Sequence, residues 1–164
     1  MKKKIKYLGI SFLVALFAAC TSDNSNDNNS DSLDAQIQEV KNLASSGTWI
    51  VASFVDSGVN ETDDFAGYSF TFNANGSLIA NKGSNTVEGS WSITGDDSSD
   101  DSSDDNSSDD DSDDIDFNIF FASPDSFSEL SEDWEIVSRS NNRIELIHIS
   151  GGNGGTDSLV LEKN

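Results

Sequence analysis

The sequence predicts an all-β fold: an eight-stranded, antiparallel, up-and-down barrel with a short N-terminal helix and a long disordered acidic loop. First, apolar and polar residues alternate with a period of two through most of the chain after residue 47, as in strands with one buried face. Second, these segments are short and end in turn sequences such as Asn75-Gly76, which favour hairpins. Third, the alternating segments number eight, and a meander of eight strands can close and so remove its exposed edges.

The helix is predicted over residues 32–46, where Leu33, Ile37 and Val40 recur at helical spacing. The barrel is predicted over residues 47–163. Its strands are expected at 49–55, 67–73, 77–81, 86–94, 116–122, 134–140, 143–150 and 157–162. Residues 123–131, which contain the only proline, are expected to form a connection with a helical turn.

The interior of such a barrel can be filled by its own side chains or can hold one small ligand. The sequence leaves both alternatives open, although an aromatic interior is more often a packed core than a ligand pocket. The inward-facing side chains are the candidate ligand-lining residues: Trp49, Val51, Tyr68, Phe70, Phe72, Trp91, Phe117, Ile119, Trp134 and Leu146. A ligand held by these side chains would be a small apolar or amphipathic molecule.

The first twenty residues predict secretion and a lipid anchor. Lysines precede an apolar run from Leu8 to Ala19, which is too short to span a bilayer comfortably. The sequence LFAAC, which ends at Cys20, resembles the lipobox of bacterial lipoproteins, whose cysteine is lipidated. The resemblance implies a signal peptide over residues 1–19 and acyl chains on Cys20 that anchor the protein to a membrane.

The residues that follow Cys20 bear on where the protein is displayed. Residues 20–31 are polar and read as a disordered tether. This tract resembles the acidic export signals of Gram-negative surface lipoproteins, and a plain tether is an equal alternative. The expected location is the outer membrane of a Gram-negative bacterium, lipid-anchored and exposed at the cell surface.

The most acidic segment, residues 96–114, is rich in aspartate and serine and contains no lysine or arginine. It also lacks the glycine and the bidentate glutamate of an EF-hand loop. We expect it to be disordered, because a Ser/Asp tract cannot bury apolar area. A plain solvated loop and a weak calcium contact remain alternatives, the latter at Asp104, Asp105, Asp109, Asp110 and Asp111.

The charge of the whole chain excludes some partners. The formal net charge is −21, and removal of residues 1–19 leaves 5 basic residues against 30 acidic ones, a formal charge of −25. Such a chain repels nucleic acid and anionic lipid head groups and attracts divalent cations loosely. We therefore expect no nucleic-acid partner, and the sequence does not identify a protein partner.

Three short motifs resemble the lipocalin-like domains of bacterial surface lipoproteins. Residues 47–49 read Gly-Thr-Trp directly after the helix, which is how lipocalins open, with the tryptophan plugging the closed end of the barrel. Phe70-Thr71-Phe72 precedes the Asn75-Gly76 turn, and residues 89–91 read Gly-Ser-Trp. The resemblance covers about residues 47–163 and implies a fold and a compartment more than a function. Lipocalins also carry a late arginine that packs on the tryptophan, and neither Arg139 nor Arg143 is assigned that role.

Catalytic constellations are missing from the sequence. The chain has one histidine, His148, expected at the barrel wall or rim, and one cysteine, Cys20. A Cys/His pair or a catalytic zinc site cannot be drawn from these, so we expect neither an enzyme nor a cofactor. Two functions compete: binding of a small apolar ligand inside the barrel, and a non-enzymatic surface interaction or structural protein. The second would have a packed core and an acidic loop that contacts cations or a partner.

Overall fold

The computed structural model describes residues 30–95, 115–150 and 155–164. Helix α1 comprises Ser30–Ala44, so the last two residues of the predicted tether are helical, and a short helix α2 comprises Asp125–Ser128. A single 3₁₀ turn comprises Thr62–Phe65. The strands are β1 Trp49–Asp56, β2 Val59–Asn60, β3 Ser69–Phe72, β4 Ser77–Lys82, β5 Asn85–Gly95, β6 Ile115–Phe120, β7 Asp133–Ser140, β8 Arg143–Ile149 and β9 Thr156–Lys163.

The predicted barrel is confirmed. Strands β3 to β9 pair in sequence order, and β1 pairs with both β3 and β9, which closes the sheet into eight antiparallel strands. At the closure between β1 and β9, six residue pairs run from Trp49–Lys163 to Val55–Ser158. Strand β2 is a two-residue addition that pairs only with the end of β1.

The main difference from the predicted pattern of inward side chains lies in β1. Simple alternation after Trp49 and Val51 places Ser53 and Val55 inward, but Phe54 is the buried residue. The register of β1 against β9 shifts between Val51 and Ser53, and a bulge of this kind reverses which residues face the core. Phe54 therefore points into the interior, where strict alternation would have placed Ser53 and Val55.

The two ends of the barrel differ, and we call them the helix end and the loop end. The helix end is covered by α1 and contains the β3–β4 and β7–β8 connections, the end of β5 and the start of β6. The close approach of Leu33 to Gly95, where β5 ends, places the first turns of α1 at this end. The loop end contains the β1–β3, β4–β5, β6–β7 and β8–β9 connections, including the 3₁₀ turn and α2.

Candidate functional site

The predicted lining residues do come together inside the barrel. Tyr68 is half-buried, and the other nine are buried, with at most 8% of their surface exposed: Trp49, Val51, Phe70, Phe72, Trp91, Phe117, Ile119, Trp134 and Leu146. The alternation of apolar residues therefore predicted which faces point inward. It did not determine whether these side chains surround a space or fill it.

The aromatic rings in the interior are in direct contact with one another. The Phe72 ring centroid lies 5.3 Å from that of Trp91 and 5.4 Å from that of Phe117, in edge-to-face geometry. Trp91 and Phe117 are stacked at 5.8 Å. These separations are those of favourable aromatic pairs in packed cores, so the rings occupy the middle of the barrel themselves.

The indole N–H groups of the three tryptophans are all hydrogen-bonded to backbone carbonyls. Trp49 Nε1 donates to the carbonyl of Ala44 at 2.8 Å, and Trp91 Nε1 donates to the carbonyl of Asn73 at 2.9 Å. Trp134 Nε1 donates to the carbonyl of Leu130 at 3.1 Å. Each indole is thus held in one orientation and has no N–H left to offer a ligand.

The helix end is closed by α1. Leu33, Val40 and Ala44 on this helix are buried in the same core as the barrel interior. Trp49 is fully buried beneath the helix, and the cation above its ring is Lys163, whose Nζ lies 5.2 Å from the ring centroid. Neither Arg139 nor Arg143 takes that position; Arg139 pairs with Glu39 at 3.4 Å.

The loop end is closed by two phenylalanines that the strand pattern did not include. Phe65 on the 3₁₀ turn and Phe127 on α2 are each 1% exposed, and their ring centroids lie 5.3 Å apart. The Phe127 ring also lies 5.1 Å from that of Phe121 and is stacked on that of Phe70 at 6.0 Å. This is the end at which a ligand-binding barrel of this kind would have to be open, and here it is filled.

Two clefts flank α1 on the outside of the barrel. The first, of about 290 Å³, lies between α1 and the β3–β4 turn, and its lining includes Lys41, Gly76 and the edge of Trp91. The second, of about 450 Å³, lies between α1 and the β7–β8 hairpin and includes Arg139 and Lys163. Of the predicted lining residues, Trp91 alone borders either cleft.

Charge is distributed unevenly between the two ends of the described chain. Four of its five Lys and Arg side chains lie at the helix end, and Lys82 alone lies at the loop end. Nine carboxylates occupy the loop end: Asp56, Glu61, Asp63, Asp64, Asp125, Glu129, Glu132, Asp133 and Asp157. The loop end is therefore a strongly negative surface. Gly95 and Ile115, which flank residues 96–114 in sequence, lie at the helix end.

The acidic neighbours at the loop end raise the pKa of one carboxyl group. The pKa of Glu129 is raised above its ordinary value, chiefly because a proton on Glu129 supports a hydrogen bond with Glu61. Partial burial and the charges of Glu61, Asp56 and Asp64 add to the same effect. Glu61 Oε2 is itself buried without a hydrogen-bond partner.

Exposed apolar side chains are also concentrated at the loop end. Of the four large hydrophobic residues that are exposed in the described chain, Val59, Phe120 and Ile149 lie there, with 57–58% of their surface exposed. Val137, on the outer wall in β7, is the fourth. Exposed apolar side chains on a surface that also carries charged ones are found at protein–protein contacts.

Some predicted sites lie outside the described residues: the signal peptide, Cys20, and the weak calcium candidates Asp104, Asp105, Asp109, Asp110 and Asp111.

Sequence reasoning missed the grouping of Glu132, Asp133 and His148 at the loop end. A signal for it existed, because a hairpin centred on Asn141-Asn142 brings His148 opposite the start of β7.

Comparison with known proteins assigns this chain to no family. No protein-family model matches the chain, and no curated protein matches it. The crystal structure of a DUF4847 family protein from Bacteroides vulgatus is similar over 76% of this chain and 97% of that one, with 18% sequence identity and a TM-score of 0.45. The barrel topology given above comes from the strand pairing of this chain itself.

Within the described residues, we find no helix with the length and apolar character that a membrane crossing requires.

Proposed function

We propose that this protein is a lipid-anchored, non-enzymatic interaction module of the cell envelope, with a lipocalin-like barrel that serves as a solid scaffold. Its contact surface is the acidic loop end, and its partner is a protein segment that carries basic side chains. The observation that carries this proposal is the filled interior, in which aromatic rings pack on one another and both ends are closed. A function that requires an internal space is thereby disfavoured relative to one that uses the surface.

The packing argument concerns the volume that a ligand would need. Small-molecule sites are usually clefts of about 300–1,000 Å³ that bury most of the ligand. To open such a space along the barrel axis, Phe127 or Phe65 would have to leave its contacts, and each buried phenylalanine contributes several kcal/mol to stability. Binding of an apolar molecule would have to offset that loss before any affinity appeared.

The loop end has the features of a surface for a basic partner. Its nine carboxylates attract cationic segments and accelerate their association, and the exposed Val59, Phe120 and Ile149 supply apolar contacts. Because charged contacts of this kind are screened by salt, association should weaken as ionic strength rises. Neutralising carboxylates at this end should weaken it as well.

The position of the anchor favours exposure of the loop end. Helix α1 begins at Ser30, ten residues after Cys20, and its first turns lie at the helix end. A tether of that length reaches at most about 35 Å when fully extended. A chain anchored through Cys20 would therefore hold the helix end nearer the membrane and leave the loop end free to meet a partner.

The anchor and the contact surface require separate tests. Substitution Cys20→Ala should move the protein from the membrane fraction to the soluble fraction, and an unchanged distribution would contradict the anchor. For the surface, a photo-crosslinking amino acid is placed at Ile149, and a matched probe is placed at Val137, which is 61% exposed on the outer wall. In host membranes the probe at 149 should give a discrete adduct, and the probe at 137 should not.

The chemistry of the partner is tested by two variants and by salt. The adduct should decrease in the double variant Asp63→Asn/Asp64→Asn and at about 0.5 M salt, where the screening length is only about 4 Å. It should persist when residues 96–114 are deleted. If the adduct is lost only on that deletion, the partner contacts the acidic segment instead of the loop end. If both probes give equal adducts, the loop end is not a specific contact surface.

A second candidate function is binding of a small amphipathic molecule in the cleft between α1 and the β3–β4 turn. The observation in its favour is that this cleft, of about 290 Å³, combines the edge of Trp91 with the Lys41 side chain. Binding there would change tryptophan fluorescence in the wild type and much less in Trp91→Phe. A titration that perturbs the two proteins equally would exclude this cleft.

A further inference from the structure

Three potential metal ligands meet at the loop end, where β7 begins and β8 ends. His148 Nε2 lies 3.4 Å from Glu132 Oε2, and Nδ1 lies 3.3 Å from Asp133 Oδ1. One ligand atom from each of the three residues lies within 4.8 Å of the other two. The pairing of Glu135 with Ile147 fixes the distance between β7 and β8, which carry Asp133 and His148, and Glu132 directly precedes β7.

In the neutral tautomer with its proton on Nδ1, the His148 ring presents the lone pair of Nε2 to a carboxylate. Nδ1 lies 3.1 Å from the backbone carbonyl of Asp133, to which it can donate its proton. A neutral imidazole has a single N–H, so Nε2 then carries a lone pair that faces the carboxylate of Glu132. Two acceptors in this arrangement repel each other, and either a proton on Nε2 or a metal cation between them removes the repulsion.

The same geometry is common among metal-binding histidines. A ligating histidine usually donates its other ring N–H to a carbonyl or carboxylate, which fixes the tautomer and the ring orientation. Here the ring is further held by Trp134, whose ring centroid lies 6.2 Å away in edge-to-face geometry. The His148 side chain is only 17% exposed, whereas Glu132 and Asp133 are more accessible to an arriving ion.

We propose that Glu132, Asp133 and His148 form a binding site for a divalent transition-metal ion of the zinc class. His148 supplies a ring nitrogen as ligand, and the two carboxylates supply oxygen ligands and two negative charges. Imidazole nitrogen suits zinc, nickel and copper, whereas calcium and magnesium prefer sites made only of oxygen. With three protein ligands, at least one position on the metal stays open to water or to a group from a partner.

A second carboxylate cluster provides a matched control. Glu61, Asp64 and Glu129 also lie within 4.8 Å of one another at the loop end, but they include no nitrogen ligand. Any general attraction of cations to this negative surface would act on both clusters. A site that depends on His148 should therefore be lost in His148→Gln and retained in the double variant Glu61→Gln/Glu129→Gln.

The experiment is a Zn²⁺ titration of the purified mature chain at pH 7.5 in the presence of excess Ca²⁺, which occupies loose polyanion sites. Calorimetry should show one Zn²⁺ per chain, with affinity reduced more than about tenfold in His148→Gln and in Glu132→Gln. The Glu61→Gln/Glu129→Gln variant and a chain without residues 96–114 should bind as the wild type does. Equal binding by His148→Gln, or loss of binding only on deletion of 96–114, would overturn the proposal.

A second measurement on the wild type removes any dependence on variant folding. The chain contains a single histidine, so its imidazole Cε1–H resonance reports His148 alone. Zn²⁺ should shift this resonance with the same stoichiometry as in calorimetry, and Ca²⁺ should not. If the resonance is unaffected by Zn²⁺, the trio is a histidine–carboxylate contact and the metal site is rejected. The site does not depend on the protein partner proposed above, because both measurements use the chain alone.

Discussion

The substitution Phe127→Ala tests whether the loop end is a filled part of the core. Phe127 is 1% exposed and its ring contacts those of Phe65, Tyr68, Phe70 and Phe121, with centroids 5.0–6.0 Å apart. Removing a buried phenylalanine ring typically costs about 3–5 kcal/mol, since transfer energy is lost and a cavity is left. Four ring contacts, each contributing about 0.5–1.5 kcal/mol beyond burial, place this position in the upper part of that range.

We therefore expect Phe127→Ala to lower the free energy of unfolding by about 4 kcal/mol, which corresponds to roughly 15 °C in Tm for a domain of this size. The assay is urea unfolding followed by tryptophan fluorescence, extrapolated linearly to water. The matched control is Phe120→Ala, because Phe120 is 57% exposed and should change stability by less than about 0.5 kcal/mol. If the two variants differ by less than about 1 kcal/mol, Phe127 does not close the barrel, and the argument against an internal ligand fails.

Three further predictions concern stability. Gly89→Ala should cost about 2 kcal/mol in urea unfolding, because its new Cβ would lie 2.4 Å from the backbone oxygen of Phe120; a neutral or stabilising result would contradict that close approach. The raised pKa of Glu129 means that the folded state is penalised when this group is ionised, so stability should rise as pH falls from neutral through the interval between its raised and ordinary pKa. Glu129→Gln should raise Tm at pH 7 and flatten the profile in that interval, and an unchanged profile would refute the assignment. Deletion of residues 96–114 should leave Tm within about 3 °C of wild type, because the length of a connection generally affects stability only weakly; a large drop would show that this segment packs on the barrel.

The periodic parts of the sequence predicted the barrel well. Alternation from Tyr68 to Phe72 and the Asn75-Gly76 turn identified β3, β4 and their hairpin, with bounds within two residues. Closure was also predictable, because eight short strands in a meander leave two edges that stabilise each other by pairing. The inward position of Phe54 was not predictable, since the register shift in β1 depends on its pairing with β9 about a hundred residues away.

The elements that close the loop end were harder to predict. Phe65 and Phe127 lie in connections, where neither a period of two nor a helical period marks a residue as buried. Their burial follows from contacts between two connections distant in sequence, the 3₁₀ turn and α2. Sequence could thus identify the inner faces of the strands, but whether the barrel end was open or closed depended on these two turns.

The grouping of Glu132, Asp133 and His148 was only partly predictable from the sequence. The Asn141-Asn142 turn predicted the β7–β8 hairpin, and counting outward from it pairs His148 with the first residues of β7. The register shift between Ile136 and Ser138 changes that pairing by one residue and could not be inferred from the sequence. A search of the sequence for metal ligands by spacing fails here, since the ligands come from both strands of a hairpin.

The central claim, that the barrel is a solid scaffold without an internal ligand, is tested most directly by native mass spectrometry of the protein purified from its own host. The account predicts a mass equal to the mature chain with its acyl groups, plus at most a metal ion, and no organic molecule lost on unfolding. A stoichiometric organic adduct that is retained by the wild type, released when the barrel unfolds and lost in Phe127→Ala would contradict it.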